Sequence, residues 1–322
     1  MSTVVLGAGG SEARRHTAPP RRDVLSRAAL DRLAALTGTP SLATRLLDGC
    51  AADDGLGERL GAASDGGPGA AGSDAADEAA KEALASAGLL GSGILTEQGR
   101  AVLDVWHAPT LAVELEMLVA LPSGTVRVRS RHHSRGRWVV CLSTADGEVF
   151  ELSRLAVDSW WLELARAAHV DTRTWRPARD TAGAVPDVVP GIIETPWELL
   201  LATGETVRRR RHDLLDQLVS DHAGTTLAGG APDAVRVADD RDVRRWLERL
   251  ETTSRGRLHA AVMGRSGRGR PGAGVVEWVL LPDGWRSLRP FTRDGWTMVR
   301  IERREAADLP RELSLLAAEV TS

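Results

Sequence analysis

The chain has 322 residues, 43% of them hydrophobic, which is enough for one large domain or two modest ones with a sizeable core. Its formal net charge of −3 excludes a global positive field that would attract nucleic acid or an anionic membrane. Two cysteines are too few for a disulfide framework, and no segment reaches the roughly 18–20 apolar residues of a membrane helix. No signal peptide is visible, so we expect a reduced, cytoplasmic protein without membrane contact.

The N-terminal part of the chain is predicted to be mostly helical. Residues 1–22 are expected to form a disordered tail. Apolar residues then recur with a period near 3.6 over residues 23–36, which predicts the first helix. Residues 61–73 are nearly all Gly, Ala, Ser and Asp, which predicts a flexible insertion with almost nothing to bury. A helix resumes over residues 74–87, where Gly88 is suited to be the C-cap.

Residues 109–168 are predicted to form a run of short strands followed by a helix. Apolar side chains alternate with Glu114 and Glu116 over residues 111–121, which predicts a strand with one buried face and one wet face. The following strand alternates valine with arginine, so we expect a wet, basic face there. Asp158 is predicted to cap the closing helix.

The middle of the chain is predicted to connect this block to further helices. Residues 171–192 contain three prolines, which predicts an irregular connector. Helices are predicted from Pro196, over residues 205–219 and over residues 239–250. Residues 256–319 then repeat the strand–strand–helix order.

The repeated order predicts the fold class. We expect an α+β protein with a mostly antiparallel sheet, built from two similar strand–strand–helix halves with flanking helices. The sheet and helices would form a single domain over residues 23–320. Its halves are placed at about residues 23–170 and 185–320.

The histidines and carboxylates are the residues most able to act as catalytic or metal-binding groups. His132 and His133 are adjacent on a predicted strand, so their side chains point to opposite faces and form a poor metal clamp. We expect them to be solvated turn residues. Glu114 and Glu116 could form a general acid/base pair, but a wet sheet face is the favoured interpretation. No catalytic sequence motif is present, so we predict no enzyme activity, no cofactor and no metal.

Two arginine clusters allow an alternative function. Residues 208–211 are four consecutive arginines, and residues 265–270 hold three more in a glycine-rich loop. Either cluster could contact phosphates, so the alternative is a nucleic-acid-binding module. Asp213 and Asp216 lie close to the first cluster, which favours a charged helix face and no nucleic-acid partner.

Several segments, taken in order, resemble the EspG family of cytosolic chaperones that serve type VII (ESX) secretion in actinobacteria. Each segment is short, and together they extend over about residues 23–320. The segments are LASAGLL at 84–90, RGRWVV at 135–140, EVFEL at 148–152, VVP at 188–190, SRGRL at 254–258, and DGW at 283–285 and 294–296.

The resemblance implies a fold and a function. The family fold has two related halves that share an antiparallel sheet, as the duplication also predicts. The implied function is that of a non-catalytic chaperone or adaptor for secreted helical substrates of the PE/PPE or WXG100 type. The family uses a strand–strand loop and helices of its C-terminal half. The corresponding loop here would contain Leu121, Pro122, Ser123 and Gly124, which become the expected partner-binding residues.

Overall fold

The structure is a computed structural model that describes residues 20–48, 73–121, 124–171, 189–265 and 270–322. Most of the predicted tail and all but the last residue of the predicted insertion lie outside the described residues. Pro122 and Ser123 of the predicted binding loop, and Arg268 of the second arginine cluster, also lie outside them.

The described part of the chain contains fourteen strands and nine α-helices. In chain order the strands are β1 (Arg21–Ser26), β2 (Leu90–Gly91), β3 (Ile94–Leu95), β4 (Leu111–Leu121), β5 (Gly124–Arg135), β6 (Trp138–Thr144), β7 (Val149–Ala156), β8 (Ile192–Pro196), β9 (Leu227–Gly229), β10 (Arg236–Val237), β11 (Gly256–Arg265), β12 (Pro271–Leu281), β13 (Gly284–Arg293) and β14 (Trp296–Arg304). The helices are α1 (Arg27–Thr37), α2 (Leu42–Asp48), α3 (Ser73–Ser86), α4 (Glu97–His107), α5 (Trp160–Ala167), α6 (Trp197–Arg208), α7 (His212–Asp221), α8 (Asp240–Thr253) and α9 (Leu309–Thr321).

Twelve of these strands form one antiparallel sheet. Their order is β1-β7-β6-β5-β4-β11-β12-β13-β14-β8-β9-β10, so β1 and β10 are its two edge strands within the described chain. Two four-strand meanders, β4–β7 and β11–β14, meet where β4 pairs with β11. At that junction Leu115 lies opposite Ala260. The predicted α+β class with a mostly antiparallel sheet is confirmed.

Alternate residues of the central strands face two different layers. On the side that we call the front face, α5 and α9 pack on β4, β11 and β12, and the core there is shared by both meanders. On the opposite side, the back face, α1–α4 pack on β6 and β7 and α6–α8 pack on β14 and β8. The helices of the back face therefore form two separate groups.

Two of the strands that were not predicted from the sequence, β1 and β8, each pair with the last strand of a meander. The helix predicted over residues 23–36 is wrong at its start, and the predicted tail is wrong at its end, because Arg21–Ser26 forms β1 along β7. α1 begins only after Ser26, whose side chain accepts a hydrogen bond from the Ala29 backbone N–H. Likewise, Ile192–Pro196 forms β8 along β14, where the sequence predicts a connector and a helix start.

Other predicted boundaries also differ from the structure. The helix predicted over residues 205–219 is divided between α6 and α7, with Arg210 at a positive φ of 55° between them. The glycine-rich sequence predicts a loop over residues 265–274 and a strand only from residue 275, but strand β12 already begins at Pro271. Asp158 does not cap α5, since a 3-10 turn over Val157–Ser159 intervenes.

Candidate partner-binding surface

The centre of the back face is a sheet surface that lies between the two helix groups. Its strands are β5, β4, β11 and β12, which are consecutive in the sheet. Apolar residues of these strands point to the front core, so the intervening polar residues point to the back face. The wet faces predicted for β4 and β5 are confirmed, since Glu114, Glu116 and Arg127 all keep part of their surface in solvent.

Four charged residues form a row across these strands, which we call the charge row. Arg129 lies opposite Glu116, Glu116 lies opposite His259, and His259 lies opposite Glu277. Basic and acidic groups therefore alternate across four neighbouring strands. The Nδ1 atom of His259 is 2.5 Å from Oε1 of Glu277, and Nε of Arg129 is 4.0 Å from Oε1 of Glu116.

The charge of the row depends on His259. A hydrogen bond with Glu277 raises the pKa of His259, burial opposes that shift, and the charges of Glu277 and Glu116 add to it. The His259 side chain is 49% exposed. A partner that docks on this surface can therefore reach the imidazole directly.

Glu114 and Glu116 each have an arginine partner. Arg131 pairs with Glu114, and Arg127 pairs with Glu116. The wet, ion-paired face thus describes them better than the acid/base pair that the sequence left open.

Apolar side chains border the charge row. Leu118 lies between Arg127 and Arg257 in the sheet and is 42% exposed, and Val275 is exposed on β12. Farther along the same two strands, Leu121 of β4 and Gly124 of β5 lie opposite each other as the last residue pair of the hairpin. β5 pairs with β6 only from Arg129 onward, so in the described chain the hairpin end has no strand on that side.

The prediction that His132 and His133 are solvated turn residues is wrong. β5 continues through Arg135, so both histidines lie within a central strand and are buried. The Nε1–H of Trp160 donates to Nδ1 of His132 at 3.2 Å, and burial lowers the pKa of His132 to about 4. Nδ1 of His132 is therefore the acceptor nitrogen of a neutral imidazole.

His133 points to the opposite face, as the alternation of a strand predicts. Its ring stacks on Trp106 at 4.3 Å between centroids, and its Nδ1 donates to the Trp106 carbonyl. Burial lowers the pKa of His133 to about 4, and burial also raises the pKa of the Cys141 thiol. His132 and Cys141 share the front layer, where Sγ of Cys141 lies 3.5 Å from Nε2 of His132, whereas His133 lies in the back layer.

Three of the four arginines in the first cluster form ion pairs within their own segment. Arg208 and Arg209 pair with Glu205, and Arg211 pairs with Asp213. Arg265, of the second cluster, is exposed at the end of β11. Local ion pairing of this kind favours the charged helix face over phosphate contact.

His259 and Glu277 were not singled out from the sequence. The alternation of Leu258, Ala260 and Val262 does place His259 on the wet face of its strand. Its position beside Glu116 depends on the pairing of β4 with β11, which are more than a hundred residues apart in the chain. No local pattern carries that information.

Within the described ranges, no three His, Cys, Asp or Glu residues are grouped so that they could hold a metal ion. None of the helices described is both long and apolar enough to cross a membrane. No protein-family model matches the chain, and no curated protein matches it either.

Proposed function

We propose that this chain is a non-catalytic cytosolic chaperone or adaptor of the EspG type. It would bind a secreted helical substrate of the PE/PPE or WXG100 type for a type VII secretion system. The observation that supports this best is the repeated order of elements. Each half runs from a strand that pairs with the last strand of its meander, through helices and short strands, to the four-strand meander, a 3-10 turn and a final helix.

Corresponding residues support the relation between the halves. The same interval of sequence separates Trp160 from Leu309 and Leu164 from Leu313, and all four side chains are buried in the front core. That interval also separates Glu163 from Glu312. Both glutamates are held by arginines, because Arg22 and Arg166 pair with Glu163, and Arg304 pairs with Glu312.

The central back face has the features that a docking surface needs. The charge row can fix how a bound partner is aligned, and the neighbouring exposed apolar residues provide surface that the partner would bury. The two helix groups flank this surface on either side. Leu121 and Gly124 belong to the hairpin that the family resemblance implies for partner binding, and they lie opposite each other at the end of β4 and the start of β5.

The test is co-purification with a candidate substrate. The chain is co-expressed with tagged small helical secretion substrates encoded near its gene, and the tagged protein is captured. We expect the untagged chain to co-purify with at least one of them. Leu118→Asp is expected to reduce this recovery at least tenfold, because it places a charge at the apolar border. If none of the nearby helical proteins captures the chain, the proposal fails.

A matched variant controls for nonspecific effects. Leu36 is similarly exposed, at 46%, but lies on α1 away from the central strands. Leu36→Asp is expected to leave recovery unchanged. Equal losses for Leu36→Asp and Leu118→Asp would contradict the assignment of the surface.

Salt dependence separates this function from the nucleic-acid alternative. Binding through phosphate contacts weakens steeply as the salt concentration rises, whereas binding through a largely apolar interface does not. Binding of the substrate is expected to change little between low and physiological salt. Binding of DNA or RNA that depends on residues 208–211 and falls steeply with salt would favour the alternative.

A further inference from the structure

A cavity of about 380 Å³ lies on the back face of the N-terminal half, between α4 and the strands β6 and β7. Its volume falls within the roughly 300–1,000 Å³ that is typical of small-molecule sites. Most of its lining is apolar, with one arginine. The lining residues that matter here are Ala101, Val102, Val105, Trp138, Val140 and Arg154.

Arg154 is the charged group of this cavity. Its side chain is only 9% exposed. Its Nη2 forms an ion pair with Asp23 and donates to the Ala87 carbonyl oxygen at 3.0 Å. Nε and Nη1 are buried and have no acceptor among the described residues. Burial lowers the pKa of Arg154, which Asp23 opposes. A buried guanidinium with two unmatched donors is stabilised by an added acceptor, above all by an anion.

The net charge around Arg154 favours binding of an anion. Arg21 and Arg154 both contact Asp23, so this trio carries one excess positive charge. Glu97 and Gln98 also line the cavity, but both are exposed at its rim. The Glu97 carboxylate is therefore solvated, while the positive charge lies where water is excluded.

Trp138 forms part of the opening. Its ring is half-exposed, and the guanidinium carbon of Arg137 lies 5.3 Å from the ring centroid. An exposed indole at the rim of an apolar cavity provides a flat surface for the apolar part of a ligand.

We propose that this cavity is a binding site for a small apolar monocarboxylate, with the carboxylate at Arg154 and the hydrocarbon part along Val102, Val105 and Trp138. No reaction is involved, since the ligand is held by one charged contact and by apolar burial. The site shares no residue with the charge row, so it is independent of the proposed chaperone function.

The experiment measures binding of octanoate and of octan-1-ol by isothermal titration calorimetry. The alcohol has the same chain but no charge. We expect one octanoate per chain, bound at least about tenfold more tightly than the alcohol, because a hydrogen-bonded ion pair to a buried donor adds to apolar burial. Arg154→Met is expected to remove this preference for octanoate. Arg154→Lys, which keeps the charge, is expected to retain part of it.

A steric variant tests the location without touching the core. Ala101 is exposed on α4 and lines the cavity, so Ala101→Trp is expected to fill it and abolish octanoate binding. Ala85→Trp makes the same change at an exposed position of α3 outside the cavity, and it is expected to bind octanoate normally. Both variants should keep the circular dichroism spectrum of the unmodified chain.

Three outcomes would overturn the proposal. The first is an absence of octanoate binding to the unmodified chain. The second is equal affinity for octanoate and octan-1-ol. The third is undiminished octanoate binding to Ala101→Trp, which would place the ligand elsewhere. If Arg154→Met does not fold, the ratio of the two affinities in the unmodified chain and the result for Ala101→Trp still decide the question.

Discussion

At the scale of single residues, buried histidines couple the stability of this fold to pH. His132 and His133 have pKa values lowered to about 4 by burial, against 6.5 for an ordinary histidine. Between these values the unfolded chain binds protons that the folded chain does not. Stability is therefore complete above about pH 6.5 and is lost as pH falls toward 4.

We expect His132→Asn to reduce this pH dependence. Each buried imidazole contributes a slope of at most about 1.4 kcal/mol per pH unit to the free energy of unfolding. Asn keeps an acceptor for Trp160 but does not titrate. Urea denaturation at several pH values between 7 and 4.5 measures the slope. Gln217→Asn, at an exposed residue that does not titrate, is the control and should leave the slope unchanged.

His259 should titrate in the opposite direction. Its contact with Glu277 raises its pKa, so the stability that this pair contributes is present below about pH 6.5 and is lost as pH rises through the folded pKa. We expect an NMR titration to show a His259 pKa above the ordinary value. Glu277→Gln should lower that pKa, whereas Glu148→Gln, outside the charge row, should not. An unchanged pKa in Glu277→Gln would contradict the charge row as described.

At the scale of elements, a glycine controls how closely the two meanders approach. A Cβ on Gly256 would lie 2.4 Å from the Leu118 carbonyl oxygen, at the end of the β4–β11 junction. Real side chains do not tolerate that distance, so one strand would have to shift. The junction at this point thus requires a residue without a side chain.

We expect Gly256→Ala to lower the free energy of unfolding by about 1–3 kcal/mol, as overpacking commonly does. Gly230→Ala is the matched control, because nothing lies within 4 Å of the Cβ position there. Chemical denaturation of both variants measures the difference. Equal stability of the two would show that the strands can move apart at no cost.

The strands differ in how far their own sequences predict them. The alternation of apolar residues predicts a strand over residues 111–121, and these are the bounds of β4. β1 and β8 are strands because β7 and β14 offer them a partner, and six or five residues alone do not reveal that. The charge row was unpredictable for the same reason, since it depends on which strands become neighbours.

At the scale of the whole molecule, one core joins the two meanders. Leu115 of β4 and Ala260 of β11 lie in the same front cluster, and Nε1 of Trp285 donates to the Ala168 carbonyl of the other half at 2.9 Å. Neither half can bury this face alone. We therefore expect the described halves to unfold together in a single transition.

Leu115→Ala tests this cooperativity. The side chain is almost fully buried, so its truncation is expected to cost about 2–5 kcal/mol. Circular dichroism and tryptophan fluorescence should shift to the same new midpoint, because both halves lose the same contact layer. Two separate transitions, with only one of them shifted, would mean that the halves are independent folding units.

The ends of the long sheet have a consequence for behaviour at high concentration. β1, at one end, begins with Arg21, Arg22 and Asp23, while β10, at the other, has only two residues. Charged residues on an edge strand, or a very short edge strand, both disfavour pairing with a strand of another molecule. Edge-to-edge association of molecules through β1 or β10 is therefore disfavoured, even though the sheet is wide.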